Sequence, residues 1–459
     1  MEYVPKSNYR NEISGKELKM SDRKVMYIRE PVLGTIKISS LQEELLKTVE
    51  VQRLSFIHQL GTTFQSYPGA HGMRLAHALG VSHIAGTIAQ HLTDNYSDQF
   101  QGEKNVRNLV EAAGLLHDIG HTPWSHTLEP LYLELTGEDH MDLVADMVTG
   151  RTLMPVRGSG RIPEILKRHN IDPEAVSSLI TSCYNGCDFV QQMIFGEVDA
   201  DMLDYLQRDF HFTGVAFGHI EVDRIISTMA VREGRLVFQE KGLNAVRDFL
   251  LARLQMYSSV YLHRKTRIVD RMLLSAARRS VIELGEMKNF MFMTDDQLLS
   301  YLELESSDPW VREMAWRVKY RQGLFSQVFR IDSVTPTDSD IHFLNNLRNQ
   351  NSSPAGASEI LTSQISERSG VDRGFIIVDL PIEAVKVSEE RFQKQDIRFV
   401  DRRNRLIPLE ELDPPFAEYL MKARPNRSLL TVSCAPEHRE AVKSACRELF
   451  EKAAEPLFR

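Results

Sequence analysis

Cysteine is scarce in this chain, four in 459 residues, too few for a disulfide framework. Cys183 and Cys187 have three residues between them and no second pair nearby, so they read as reduced thiols rather than as half of a zinc site. Long apolar runs are missing too. None approaches the ~18 residues that mark a membrane span, and no membrane association is expected. The opening Met1-Glu2-Tyr3-Val4-Pro5-Lys6 lacks the apolar core of a secretion signal. Together these absences predict a cytoplasmic protein. Positive charge is not in excess either: the formal net charge is −8, and broad nucleic-acid binding is not expected. There is no internal repeat and no low-complexity tract.

What is present is an ordinary globular composition, 42% hydrophobic and 26% charged, over a length that allows two or three domains. Residues 1–25 are polar and read as irregular, and 26–40 read as two short strands around a Pro/Gly turn. From Leu41 to Leu304 the pattern has helical periodicity. A strand pair at 228–239, turning at Glu233-Gly234, interrupts it. Residues 306–330 read as further helix, and 349–371 read as a linker or loop. Phe375–Val378, Ile397–Val400 and Leu429–Cys434 then read as strands. A helix follows with Val442, Ala445, Cys446, Leu449 and Phe450 on one face. The expected class is mainly α, with segments 1–40, 41–348, 349–371 and 372–459, the last a small C-terminal α+β module.

Histidine is unevenly spread. Nine of the fifteen fall between His58 and His140, where clustering on apolar helices costs desolvation unless partners are supplied. Three of them, with an aspartate, lie in Leu116-His117-Asp118-Ile119-Gly120-His121-Thr122-Pro123-Trp124-Ser125-His126. Imidazole and carboxylate are both good ligands for divalent ions. Val106, Leu109, Val110, Ala113 and Leu116 precede the pair at helical spacing, which predicts His117-Asp118 at the end of a buried helix. Two segments look built to meet it. His77 is flanked by small and apolar residues. Between Glu197 and Asp209, five acids interleave with Val, Met, Leu and Tyr. Asp201, Tyr205 and Asp209 repeat every four residues and share a helix face.

His77, His117-Asp118 and Asp201 resemble the H…HD…D signature of the HD superfamily of metal-dependent phosphohydrolases. The resemblance is to its deoxynucleoside triphosphate triphosphohydrolase (dNTPase) branch, without the sterile-alpha-motif domain of the mammalian members. It is carried by Gln52-Arg53-Leu54, Gln59-Leu60-Gly61, Tyr67-Pro68-Gly69-Ala70, Arg74-x-x-His77-x-Leu79-Gly80-Val81, the His117–His126 stretch, and Asp204-Tyr205-x-x-Arg208-Asp209. It runs from about residue 26 through most of the chain.

The resemblance implies an HD-type helical fold and hydrolysis of a dNTP to deoxynucleoside and inorganic triphosphate. Another HD phosphohydrolase substrate, or a non-catalytic nucleotide-binding regulator, stands as the alternative. It implies His77, His117, Asp118 and Asp201 as ligands to Fe, Mn, Zn, Co or Ni, with a Mg ion near His121 or His140. His126 takes the place of the general acid and Glu129 of the carboxylate that orients it, where close relatives carry Asp. Arg74, Arg253, Tyr205, Asp209, Gln59, Leu60, Tyr261 and His263 fall at substrate-contact positions. Gln52, Lys241 and Arg264 fit a regulatory nucleotide site, and a homo-oligomer, dimer or tetramer, is implied. Three kinds of departure stand out. Met202 replaces a phosphate-contacting lysine. Lys47 replaces the acid that reads an activating guanine. Ser55 and Met26 replace basic residues of that same site.

Overall fold

The computed structural model describes residues 25–100, 102–217, 220–284, 290–332, 354–380, 396–423 and 428–452. The irregular segment expected at the N-terminus lies outside them.

Small residues organise the centre. The Arg74–Tyr96 helix buries Ala78, Gly80, Ala85, Gly86 and Ala89, so two neighbours can approach it closely. One is the Val106–Leu116 helix, whose Gly114 has the Ser82 backbone where its own Cβ would be, 2.9 Å from Ser82 N. The other is the Ala200–Thr213 helix, opened by Asp199, whose side chain caps the Met202 amide at 2.7 Å. A Cβ on Gly80 would sit 1.8 Å from Asp204 Oδ1. These close crossings bring three helices to one point, with Leu79, Val81, Val110, Leu115, Leu203 and Leu206 in the core around it.

The two strands expected near the N-terminus form a hairpin, β1 (Met26–Glu30) with β2 (Gly34–Ile38). The pair at 228–239 is likewise a hairpin, β3 (Met229–Arg232) with β4 (Arg235–Gln239), turning through Glu233 and Gly234, both at positive φ.

The C-terminal third departs from the sequence expectation in two ways. Residues 306–330 are not one helix. The Pro309–Tyr320 helix stops at Arg321, held at φ 57°, and Gly323 at φ 60° turns the chain into β5 (Ser326–Asp332). The span 349–371 is not a loop throughout, because Pro354–Ser369 is helix. Its Ser, Gln and Glu residues hid a stripe, Ala357, Leu361 and Ile365, that is buried every fourth residue. Burial of such a stripe outweighs weak helix propensity. The strands expected after 372 are present and fall in two sheets. β6 (Ile376–Asp379) and β9 (Ser428–Cys434) pair with β5 in the order β5-β9-β6. β7 (Arg398–Val400) and β8 (Leu406–Pro408) extend the other sheet, β3-β4-β7-β8, through a parallel pairing of Phe238 with Phe399.

The Pro354–Ser369 and Arg439–Lys452 helices pack with the β5-β9-β6 sheet around a second core that includes Leu361, Leu430, Val432 and Val442. Three arginines fasten this layer to the helical body: Arg267 grips both oxygens of Asp379 at 2.8 Å, Arg271 reaches the same carboxylate at 3.2 Å, and Arg317 reaches Glu437 at 2.6 Å. No helix among the described residues is long and apolar enough to cross a membrane. All four cysteines are free thiols.

Candidate metal centre

His117 stands at the C-cap of the Val106–Leu116 helix, as its spacing predicts. Its Nδ1–H donates to the Gly114 carbonyl at 2.8 Å, which turns the Nε2 lone pair inward. That Nε2 is buried and has no hydrogen-bond partner among the described residues. His77 is oriented in the same manner, with Nδ1 on Asp204 at 2.8 Å and Nε2 3.0 Å from Asp201 Oδ1. One ligand atom from each of His77, His117 and Asp201 lies within 4.8 Å of the others, and no other such group of histidine, cysteine or acid is found among the described residues.

Asp118 borders this group and divides its oxygens. Oδ1 faces His117 Nε2 at 3.3 Å and His121 Nε2 at 3.2 Å. Oδ2 lies 3.7 Å from His77 Nε2 and accepts from Arg74 at 2.6 Å. Burial would raise the Asp118 carboxyl, but Arg74, His117 and His121 hold it well below the usual range. Burial also disfavours a charged His77, yet its bonds to Asp201 and Asp204 push it up to about 10. Two inward-facing imidazoles amid ionised carboxylates are a donor set that a divalent cation satisfies better than a proton does. The residues present therefore fit a divalent metal.

Behind His77 runs a chain of charges with no surface. Arg208 donates to both oxygens of Asp204 at 2.8 Å and also to Glu30 of β1. The side chains of Arg208 and Asp204 are 0% exposed and that of Glu30 is 2% exposed. An imidazole ligand gains basicity and a fixed tautomer from such a partner. Sequence reading noted Asp204 and Arg208 only as part of a motif and missed Glu30. The first two had a signal, an acid and a base four apart in an apolar helix. Glu30 had none, being 178 residues from its partner.

Beside the cluster the His117–His126 stretch makes a second group. His121 stacks on His140 with centroids 4.0 Å apart. Burial, aided by Arg74 and His140, keeps His121 neutral by pushing it well below its ordinary value. Glu129 binds His126 Nδ1 at 2.7 Å through one oxygen and His140 Nδ1 through the other. Burial raises Glu129, but those two imidazoles outweigh it and leave the carboxyl lowered. His126 itself is 66% exposed at its side chain. It follows Trp124 and Ser125, both in the left-handed region at φ 60° and 53°. Such conformations cost about 1–3 kcal/mol each for residues other than glycine.

The expected substrate residues fall into two groups. Arg74 is buried, bound to Asp118 and Ser125, with Nη2 left without a hydrogen-bond partner. Tyr205, Asp209, Tyr261 and Arg253 form the other group. The Tyr261 hydroxyl donates to Asp209 at 2.7 Å, and the rings of Tyr205 and Tyr261 lie 6.2 Å apart. Burial pushes the Asp209 carboxyl up to about 7. Arg253 is buried, yet Tyr205, Tyr257, Asp199 and Glu197 raise its guanidinium further. His263 lies 5.5 Å from the Tyr67 ring. Gln59 and Leu60 are half-buried, and Gln59 keeps an unpartnered Oε1. Met202 belongs to the apolar core and offers no charge. Gln52, Lys241 and Arg264 are exposed, and Gln52 donates to the Leu46 carbonyl at 2.6 Å.

Known proteins resemble this chain in sequence and in fold. An HD domain model matches residues 74–183, and a model described as the HD associated region matches 220–455. The uncharacterized protein YwfO of Bacillus subtilis (strain 168) is 34% identical over 264 residues, 57% of this chain and 57% of that protein. The deoxynucleoside triphosphate triphosphohydrolase SAMHD1 of Homo sapiens is 26% identical over 345 residues, 66% of this chain and 54% of that protein. The crystal structure of phosphohydrolase BT4208 from Bacteroides thetaiotaomicron VPI-5482 has a TM-score of 0.66 at 24% identity, covering 89% of this chain and 99% of that one. This last likeness is one of fold. The chain spans a little over half the length of the curated relatives it matches.

Proposed function

The chain belongs to the HD family, with an HD domain followed by the HD associated region, and from that premise we propose that it is a metal-dependent phosphohydrolase that cleaves dNTPs to deoxynucleoside and inorganic triphosphate. The observation that carries the reading is the convergence of His77, His117 and Asp201, with Asp118 beside them, between an arginine and a histidine–glutamate pair. A transition metal held by those four residues would supply an acidified water and neutralise phosphate charge.

The remaining steps fall to the chain. Arg74 is fixed by Asp118 and Ser125, so its unpartnered Nη2 is preorganised for a phosphate oxygen. Glu129 takes His126 Nδ1 and leaves Nε2 as the atom that protonates the leaving 5′ oxygen. His121 and His140 are placed for a Mg ion or for the phosphates it would accompany. Asp209 and Tyr261 form a closed polar pair suited to a deoxyribose 3′-hydroxyl, with Tyr205 packed beside it. Arg253, Gln59, Leu60 and His263 complete the pocket in this reading. Gln52, Lys241 and Arg264 are the candidates for a regulatory nucleotide, in an assembly of two or four copies.

The test is a panel of dNTPs, NTPs and NMPs given to metal-loaded protein, with and without added nucleotide activators. Release of inorganic triphosphate from dNTPs is expected. Release of orthophosphate or pyrophosphate would overturn the reading. A second reading is a different HD substrate, a monophosphate or phosphodiester. It is favoured by Met202, whose place in the core leaves the phosphate cradle short of one cation.

A further inference from the structure

Trp124 and Ser125 adopt left-handed backbone in succession, and neither is glycine. Conformations like these persist only where the surroundings impose them. The residue that does so is Asp295, which is 1% exposed and stands in the first turn of the Asp295–Leu304 helix. Its Oδ1 accepts the Trp124 backbone N–H at 2.6 Å. Its Oδ2 accepts from the backbone N–H of His58 at 2.8 Å and faces Nδ1 of the same residue at 2.7 Å.

His58 then carries the constraint onward. Its ring stacks on the Trp124 indole, centroids 5.4 Å apart and 2° from parallel, and its carbonyl accepts from Ser125 Oγ at 2.7 Å. Both strained residues are thus tied, directly or through His58, to one carboxylate. Arg53 reinforces the same junction, since its buried guanidinium donates to the carbonyls of Met291, Phe292 and Met293 and to that of His121. Two buried charges therefore clamp 291–295 onto 121–125. Apolar packing would join two segments at lower desolvation cost. Directional bonds do what packing cannot, which is to hold one backbone conformation.

We propose that Asp295 is a positioning residue for the acid step: it imposes the left-handed Trp124-Ser125 turn that aims His126 at the leaving group. This rests on the phosphohydrolase reading and on His126 as its acid.

The experiment compares Asp295→Asn, His58→Phe and His126→Gln in the full chain. His58→Phe keeps a ring on Trp124 and removes one of the three bonds to Asp295. Each variant is assayed on a dNTP, whose alkoxide must be protonated, and on bis(p-nitrophenyl) phosphate, whose nitrophenolate leaves without a proton. Metal content, KM and the pH profile of kcat on the dNTP are measured alongside. Asp295→Asn should lower kcat on the dNTP by about 10²-fold, the scale of a misplaced acid. It should spare the nitrophenyl ester, leave KM and metal content unchanged, and lose the same limb of the pH profile that His126→Gln loses. His58→Phe should shift in the same direction by less. Equal losses on both substrates, a loss of metal, or an unaltered pH profile would overturn the proposal. If His126→Gln itself lacks the leaving-group dependence, the acid assignment fails instead. If His126→Gln has it and Asp295→Asn does not, that assignment stands and this inference falls.

Discussion

His77 and His126 are both histidines bound through Nδ1 to a carboxylate, and there the likeness ends. His77 rests on Asp204, Arg208 and Glu30, a chain closed to solvent. His126 is bound by Glu129, with two-thirds of its side chain in water, and it follows two residues in left-handed backbone. A metal ligand must stay where it is, and burial with full pairing achieves that. An acid, the role proposed for His126, must meet a substrate that comes and goes, and an exposed ring suits that task. Damage to the first should be read in stability and metal binding. Damage to the second should be read in turnover.

The hardest blow to this contrast is Arg208→Ala. It leaves the Asp204 and Glu30 carboxylates facing each other without their cation, which costs about 3–5 kcal/mol in denaturant unfolding. Metal affinity in titration should fall roughly 10–100-fold. If both stayed at parent values, the buried chain would not be what fixes His77.

Asp209 gives a pH-dependent version of the same test. Its carboxyl is raised from 3.8 to about 7, chiefly by burial. A raised folded-state value means the fold prefers the neutral acid, so this contribution is intact below pH 3.8 and is lost as pH climbs through 7. The parent should lose up to about 4 kcal/mol across that window. Asp209→Asn, always neutral, should flatten that part of the stability profile and be the more stable protein at pH 8. A parallel pair of curves would show that Asp209 ionises freely in the fold.

Gly80→Ala is a smaller intrusion. The added carbon would meet Asp204 Oδ1 at 1.8 Å and Arg208 Nη2 at 2.7 Å, and crowding of this kind costs about 1–3 kcal/mol. Metal affinity should drop with stability, because the carboxylate that moves is the one holding His77. His126→Asn closes the series. An exposed substitution should change unfolding stability by less than about 0.5 kcal/mol and leave metal content at the parent level, while dNTP turnover collapses. A loss of metal in this variant would erase the distinction between the two histidines.

How far the sequence revealed this site follows from distance along the chain. His117-Asp118 at a helix end and the face shared by Asp201, Tyr205 and Asp209 are local patterns, and helical period exposes them. The strand pairs at 26–38 and 229–239 were legible for the same reason. Glu30 and Asp295 were not. Each is a single acid in an unremarkable segment, and its partner lies 178 or 171 residues away. Nothing in residue order marks a carboxylate that will be buried against a distant guanidinium or amide. The misread stretches share a different cause. Phe325 to Ile331 and Ala357 to Ile365 interleave apolar residues with polar ones, and only tertiary burial decides between strand, helix and loop.

The arrangement of the two sheets sets an order of events during synthesis. β9 is the middle strand of its sheet, yet it is the last of the described strands to be made, so β5 and β6 lack this neighbour until residue 434 is available. β4 waits in a similar way, about 160 residues, for β7. A ribosome-bound chain can close its histidine cluster while both sheets still offer open edges, and open edges recruit other strands. The interval between those moments is when this protein is most exposed to aggregation, and it ends only when the closing strands dock.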